Sequence, residues 1–145
     1  MASIDDDFLA PQGSITTNVV WLDVNSNMGL DGRSDLLPNV RALINSLFNL
    51  FRCPIGARGP IFEPDYGSVL YYMLQEPLDF VSATKIKVGV VQAVQRWEPR
   101  IEVDMGRTRV TPDYNLNAFN VSMVFKVLAT NQVVSQNFLL TRTVP

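Results

Sequence analysis

The stretch "QRWEPRIEV", residues 95–103, is the hinge of the sequence, because two periodicities meet there. Trp97 closes a helical pattern, and Pro99 keeps Glu98 out of comfortable helical geometry. Ile101 and Val103 then start an every-second-residue pattern. The stretch reads as a helix turning sharply into a sheet, with Glu98 and Arg100 on the corner. On residue chemistry alone, Glu98 caps a local amide and Arg100 pairs with Glu63, Asp65 or Glu102. The alternative is that the corner is a docking point, since a guanidinium offers five donors in a planar fork suited to carboxylates or chain-terminal carbonyls.

Working back toward the N-terminus, a helix is predicted from about Asp79 to Trp97. Ile86, Val90, Ala93, Val94 and Trp97 fall on one face, with Lys85, Lys87, Gln92, Gln95 and Arg96 largely on others. A shorter helix is predicted over "SVLYYMLQ", ended by Pro77. Before it lies "RCPIGARGPIFEPDYGS", with three prolines and three glycines in 17 residues, a structured loop by composition. A first helix is read from Leu36 through Val40, Leu43, Ile44, Leu47 and Leu50, ending before Pro54. Ser34 and Asp35 are its expected cap, with Pro38 in its first turn. Residues 1–33 differ in composition and read as an arm, with "VVWLDV", 19–24, as a short strand. That arm is either a frayed end with one edge strand or a segment that orders on a partner.

Working forward, "IEVDM" alternates, Gly106 marks a bulge or bend, and "RTRV" follows. In "NAFNVSMVFKV", Phe119, Val121, Met123, Phe125 and Val127 point one way, and Asn120, Ser122 and Lys126 the other. "ATNQ", 129–132, turns the chain into a last strand, "VVSQNFLLT". The expected fold class is α+β: N-terminal helices packed on a C-terminal antiparallel three-stranded meander, with a short N-terminal extended arm. The expected organisation is an arm, 1–33, and one domain, 34–145.

Composition narrows the chemistry. The 145 residues are 47% hydrophobic and 18% charged, with a net charge of −2. Such a chain has enough apolar surface for a real core, and no basic footprint for nucleic acid. It contains no histidine, which removes His-based catalysis and most zinc sites. Cys53 is the single cysteine, so neither an intrachain disulfide nor a cysteine metal cluster forms. No calcium-loop spacing is present, so no metal or cofactor is expected. No apolar run reaches the roughly 20 residues of a membrane span. The "MASIDDDFLAPQG" start lacks the basic region of a signal peptide, so synthesis in a cytosol is expected. "GARG", 56–59, lacks the spacing of a phosphate loop. Two carboxylates acting together need no histidine, and Glu63 with Asp65, or Glu98 with Glu102 or Asp104, are the candidates. Acids beside prolines in loops are more often caps and turn formers, so no catalytic residues are assigned.

"RWEPRI" after an apolar helix resembles the Glu-Pro-Arg signature of the baseplate wedge family of contractile phage tails. Members are often labelled lysozyme-like, and relatives occur in type VI secretion baseplates. A second segment carries the resemblance: a loop with Gly and Arg, a Pro-x-Phe/Tyr-Gly-Ser stretch, then a short helix ending at an acidic-Pro pair. Here it reads "GARGPIFEPDYGSVLYYMLQEP", residues 56–77. The resemblance covers roughly residues 34–142. Many members have Glu where this chain has Ala57, and the region before Ser34 matches no part of the pattern.

The resemblance implies an architectural protein with no enzymatic activity, six copies per baseplate, and residence in the virion tail after synthesis in the host cytoplasm. Its partners would be wedge subunits and the tail sheath protein, with tube or hub neighbours as further candidates. It implies a sheath initiator that joins the wedge bundle to the first sheath ring. Glu98, Pro99 and Arg100 would be the docking residues. Arg58, Pro64, Tyr66, Gly67 and Ser68 would form a structural loop motif, with Gly67 allowing a close backbone approach. The competing readings are a small muramidase using Glu63 or Glu98 as its acid, and an adaptor domain of another complex.

Overall fold

In the computed structural model the sheet is built around one long strand, β5, whose inward side chains are the alternating apolar set. The structure describes residues 20–24 and 36–142. The elements in chain order are β1 (Leu22–Val24), β2 (Leu36–Pro38), α1 (Val40–Arg52), α2 (Leu70–Met73), α3 (Phe80–Trp97), β3 (Ile101–Val103), β4 (Arg109–Asp113), β5 (Ala118–Val127) and β6 (Gln132–Thr141). The chain divides into two compact units, residues 1–45 and 46–145, with the division inside α1.

In the first unit, β1 and β2 pair antiparallel, Leu22 opposite Pro38 and Val24 opposite Leu36. The expected helix start is corrected here: Leu36–Pro38 is a strand, and helix begins at Val40. Asn39 explains the change. It adopts a left-handed φ of 48°, which asparagine tolerates and which no helix continues through. Its side-chain oxygen accepts hydrogen bonds from the amides of Val20 and Trp21, at 2.8 and 3.3 Å. Asn45 is buried and donates to Asp23 Oδ2 and to the Val24 carbonyl, at 2.9 and 3.0 Å. The expected cap, Ser34 and Asp35, and residues 1–19 and 25–33 of the arm lie outside the described residues.

In the second unit the expected three-stranded meander is corrected to a four-stranded sheet, with β1–β2 forming a separate two-stranded one. The reason is a broken strand. β3 and β4 lie end to end along one edge of β5: Val103 faces Phe125 and Arg109 faces Ser122, so five residues bulge out opposite two. Asp104 closes the break. Its Oδ1 accepts from the amides of Gly106 and Arg107 at 3.0 and 3.1 Å, while the fully buried Thr108 accepts from the Val124 amide at 3.3 Å. The sheet is therefore three strands wide, as the alternation implied, but four in number. β6 pairs along the whole of the other edge of β5, from Ala118 opposite Thr141 to Val127 opposite Gln132.

Phe119, Val121, Met123, Phe125 and Val127 are all fully buried, on the side where Ile86, Val90 and Val94 of α3 join the core. α3 packs against β3 and β4. Phe138 of β6 meets the rings of Phe48 and Phe51 edge-on, with centroids at 4.9 and 5.3 Å. α2 is shorter than expected, four residues followed by turns to Pro77. It sits so close to α3 that a Cβ on Gly89 would lie 3.3 Å from Met73 Sδ and from Val69. The glycine that weakens α3 in isolation is what admits α2. Arg142, just past β6, donates to the carbonyls of Leu74 and Gln75 at 3.2 and 3.4 Å, tying the end of the sheet to the end of α2.

Candidate functional site

The corner is fixed before any side chain is considered. The Glu98 amide donates to the Val94 carbonyl at 2.8 Å, completing the last turn of α3. Glu98 itself has left helical geometry, at φ −125° and ψ 75°, as a following proline requires. The Arg100 carbonyl accepts from the Leu128 amide at 3.0 Å, so the next residue but one is already tied to the sheet. A helix behind and a ladder ahead hold Pro99 exposed between them.

The side chains fold onto one another. Arg100 Nε donates to Glu98 Oε1 at 2.5 Å, and Nη2 donates to Oε2 at 2.7 Å, a two-pronged guanidinium–carboxylate pair. Ser46 Oγ of α1 donates to the same Oε2 at 2.8 Å. The Glu98 side chain is only 3% exposed, whereas that of Arg100 is 33% exposed. The acid is internal and the base reaches the surface. The pairing expected for Arg100 with Glu63, Asp65 or Glu102 is corrected: its carboxylate is Glu98, two residues away. Glu63 is met by Arg58 at 3.8 Å, and Asp65 by Arg96 at 3.4 Å. Both of those pairs are well exposed and add little to stability.

The loop picked out in the sequence lies against this corner. Pro54 and Ser68 bridge in parallel, with the Ser68 amide donating to the Cys53 carbonyl at 2.9 Å. Ser68 is buried, and its hydroxyl donates to the Phe51 carbonyl at 3.3 Å, an acceptor left over at the end of α1. The Pro64 carbonyl accepts from the Gly56 amide at 2.9 Å, closing the loop across its middle. Gly67 has φ +125°, and an added Cβ would lie 2.5 Å from the Cys53 carbonyl oxygen. Arg58 stacks over Tyr66, 3.5 Å from the ring centroid, and Tyr66 meets Trp97 edge-on at 5.2 Å. Arg96 covers Trp97 at 5.0 Å. Burial raises the Tyr66 phenol above its ordinary pKa, against the pull of the Arg58 guanidinium.

Arg58 and Tyr66 thus reach the corner through Trp97, the residue before Glu98, while Gly67 and Ser68 close the loop onto the end of α1. Sequence reasoning passed over Ser46 and Arg142. A serine flanked by Asn45 and Leu47 inside an apolar helix was the available signal for the first. Among the described residues no group of three His, Cys, Asp or Glu side chains is placed to hold a metal ion, and no helix is long and apolar enough to cross a membrane.

Comparison with known proteins places this geometry. The family model described as baseplate wedge protein gp25 matches residues 32–132, a span that contains both the loop and the corner. Baseplate protein W of Escherichia phage P2 is 31% identical over 81 residues, covering 56% of this chain and 64% of the P2 protein. Baseplate wedge protein gp25 of Enterobacteria phage T4 is 26% identical over 121 residues, covering 82% of this chain and 89% of the T4 protein. Among solved structures, a putative tail lysozyme from Geobacter sulfurreducens superposes with a TM-score of 0.60 at 18% identity, over 68% of this chain and 86% of its own. A chain of the post-contraction pyocin R2 baseplate superposes with a TM-score of 0.50 at 21% identity, over 82% of this chain and 98% of its own. At such identities these two establish the fold alone, and the lysozyme wording belongs to the Geobacter protein. The resemblance read from the Glu-Pro-Arg corner and the loop is borne out: the chain belongs to the baseplate wedge protein gp25 family, structural proteins of contractile tails.

Proposed function

We propose that this chain docks onto neighbouring wedge subunits through Glu98, Pro99 and Arg100, and offers the outer edge of β6 to a strand of the tail sheath protein, so that the first sheath ring starts on it. The observation that carries the sheath half is the edge itself. β6 is ten residues long, and among the described residues its only strand partner is β5. Val133 and Leu139 stand exposed on it, at 56% and 49%. A long, exposed, uncharged edge is a template for strand addition, which proteins normally blunt unless it is used. The corner supports the wedge half, because its arginine is held rigid at the surface. Arg58, Pro64, Tyr66, Gly67 and Ser68 serve as the scaffold of that corner.

In this reading the chain has six copies per baseplate, is made in the host cytoplasm, binds no cofactor or nucleic acid, and catalyses nothing. Glu63, Asp65 and Glu98, the acids a muramidase would draw on, each face an arginine. The family match begins at residue 32, which supports an N-terminal arm or edge strand, 1–33, ahead of the wedge domain, 34–145, with β1 of that arm paired to β2. Co-purification with the sheath protein tests the edge. Val133→Lys combined with Leu139→Lys should leave melting unchanged and reduce sheath capture by roughly tenfold, since lysines on an edge oppose pairing. Undiminished capture would remove β6 from the interface.

A further inference from the structure

Ser46 lies inside α1, where intrinsic propensity favours alanine and a serine hydroxyl ordinarily turns back to the carbonyl one turn earlier. Its hydroxyl instead donates across the fold to Glu98 Oε2 at 2.8 Å, 52 residues along the chain. The recipient is the buried carboxylate that grips Arg100 with both oxygens. The two-pronged pair fixes the guanidinium plane relative to the carboxylate, but not the carboxylate relative to the fold. A glutamate reaches its carboxylate through three rotatable bonds, and Glu98 and Arg100 share one short loop. Ser46 on α1 gives the Glu98 carboxylate a contact from a different element.

We infer that Ser46 is a positioning residue for the docking corner: its hydroxyl fixes the Glu98 carboxylate, and through it the Arg100 guanidinium, in the orientation a wedge partner meets. This rests on the docking reading above. A serine that merely satisfies a buried acceptor would change stability without changing recognition, so the two roles have different signatures.

The test is competitive incorporation into the native particle, with tagged variant and untagged wild-type chains co-expressed at equal levels and their ratio read in purified baseplates. Ser46→Ala should be under-represented roughly tenfold, the scale of one hydrogen bond to a charged group. Ser46→Thr, which keeps the hydroxyl, should recover incorporation. Arg100→Lys alone should be under-represented to a similar, still measurable degree, and adding Ser46→Ala to it should cause no further loss, because both act through one guanidinium. In the isolated protein, exchange of the Arg100 Nε proton followed by NMR should quicken with Ser46→Ala and slow again with Ser46→Thr, whatever the melting temperature does.

Wild-type incorporation of Ser46→Ala beside under-representation of Arg100→Lys would overturn the positioning role and leave docking intact. Multiplying losses in the double variant, or unchanged Arg100 exchange, would overturn it as well. Normal incorporation of Arg100→Lys would overturn the docking reading and this inference together.

Discussion

At Gly67 two constraints coincide, a φ of +125° and a carbonyl oxygen 2.5 Å from where a Cβ would sit. Gly67→Ala must either move the Cys53–Pro54 backbone or abandon the Ser68 bridge, so it should cost about 3 kcal/mol, read as a lower urea midpoint. A loss within error of zero would mean the loop relaxes freely. Glycine, proline and tyrosine spacing made this loop legible in the sequence, because those residue types report backbone geometry directly. The corner was legible only in outline. Pro99 announced the turn, but whether Arg100 would reach Glu63, Asp65, Glu102 or Glu98 depends on tertiary distances that spacing does not encode. Burial of Glu98 also changes how Arg100 should be probed. Arg100→Ala would strand a buried carboxylate and destabilise the domain by roughly 2–3 kcal/mol, confounding recognition with folding.

Among the elements, α3 shows how a local signal holds. Asp79 caps it, accepting from the Ser82 amide at 2.6 Å, and the Ser82 hydroxyl donates to Glu76 Oε2 at 3.2 Å. Hydrogen bonds from Ser82 lower the Asp79 pKa, and the hydrogen bond from Lys85 lowers that of Glu76. A depressed pKa contributes stability that is full above the ordinary carboxylate range and lost as pH falls through the depressed value. The melting-temperature gap between wild type and Asp79→Ala should therefore be open at pH 6 and close as pH falls below about 4. A gap constant down to pH 2 would mean the carboxylate charge adds nothing to the cap.

Other elements resisted reading. Leu36 fits the helical spacing of α1 as well as it fits a strand, and pairing with β1 decides between them. The split of the first strand was visible at Gly106, but its width was not, since it depends on Asp104 gathering two amides and Thr108 closing onto β5.

Across the whole molecule, the apolar stripe of α3 and the alternation that starts in β3 meet at Glu98–Arg100, the junction through which docking is proposed. Arg100→Lys is the appropriate probe, because it keeps a cation beside Glu98 while removing the planar fork. The measurement is made in the native particle with this gene deleted and either wild type or Arg100→Lys supplied, at matched protein levels and melting temperatures. Tails carrying sheath are counted by electron microscopy, and the chain is quantified in the baseplates. Docking through the corner predicts roughly tenfold fewer sheathed tails, with the variant missing from baseplates, the scale of losing one desolvated anchor. Sheathed tails at wild-type frequency, with the variant in place, would contradict it and leave Glu-Pro-Arg a structural turn.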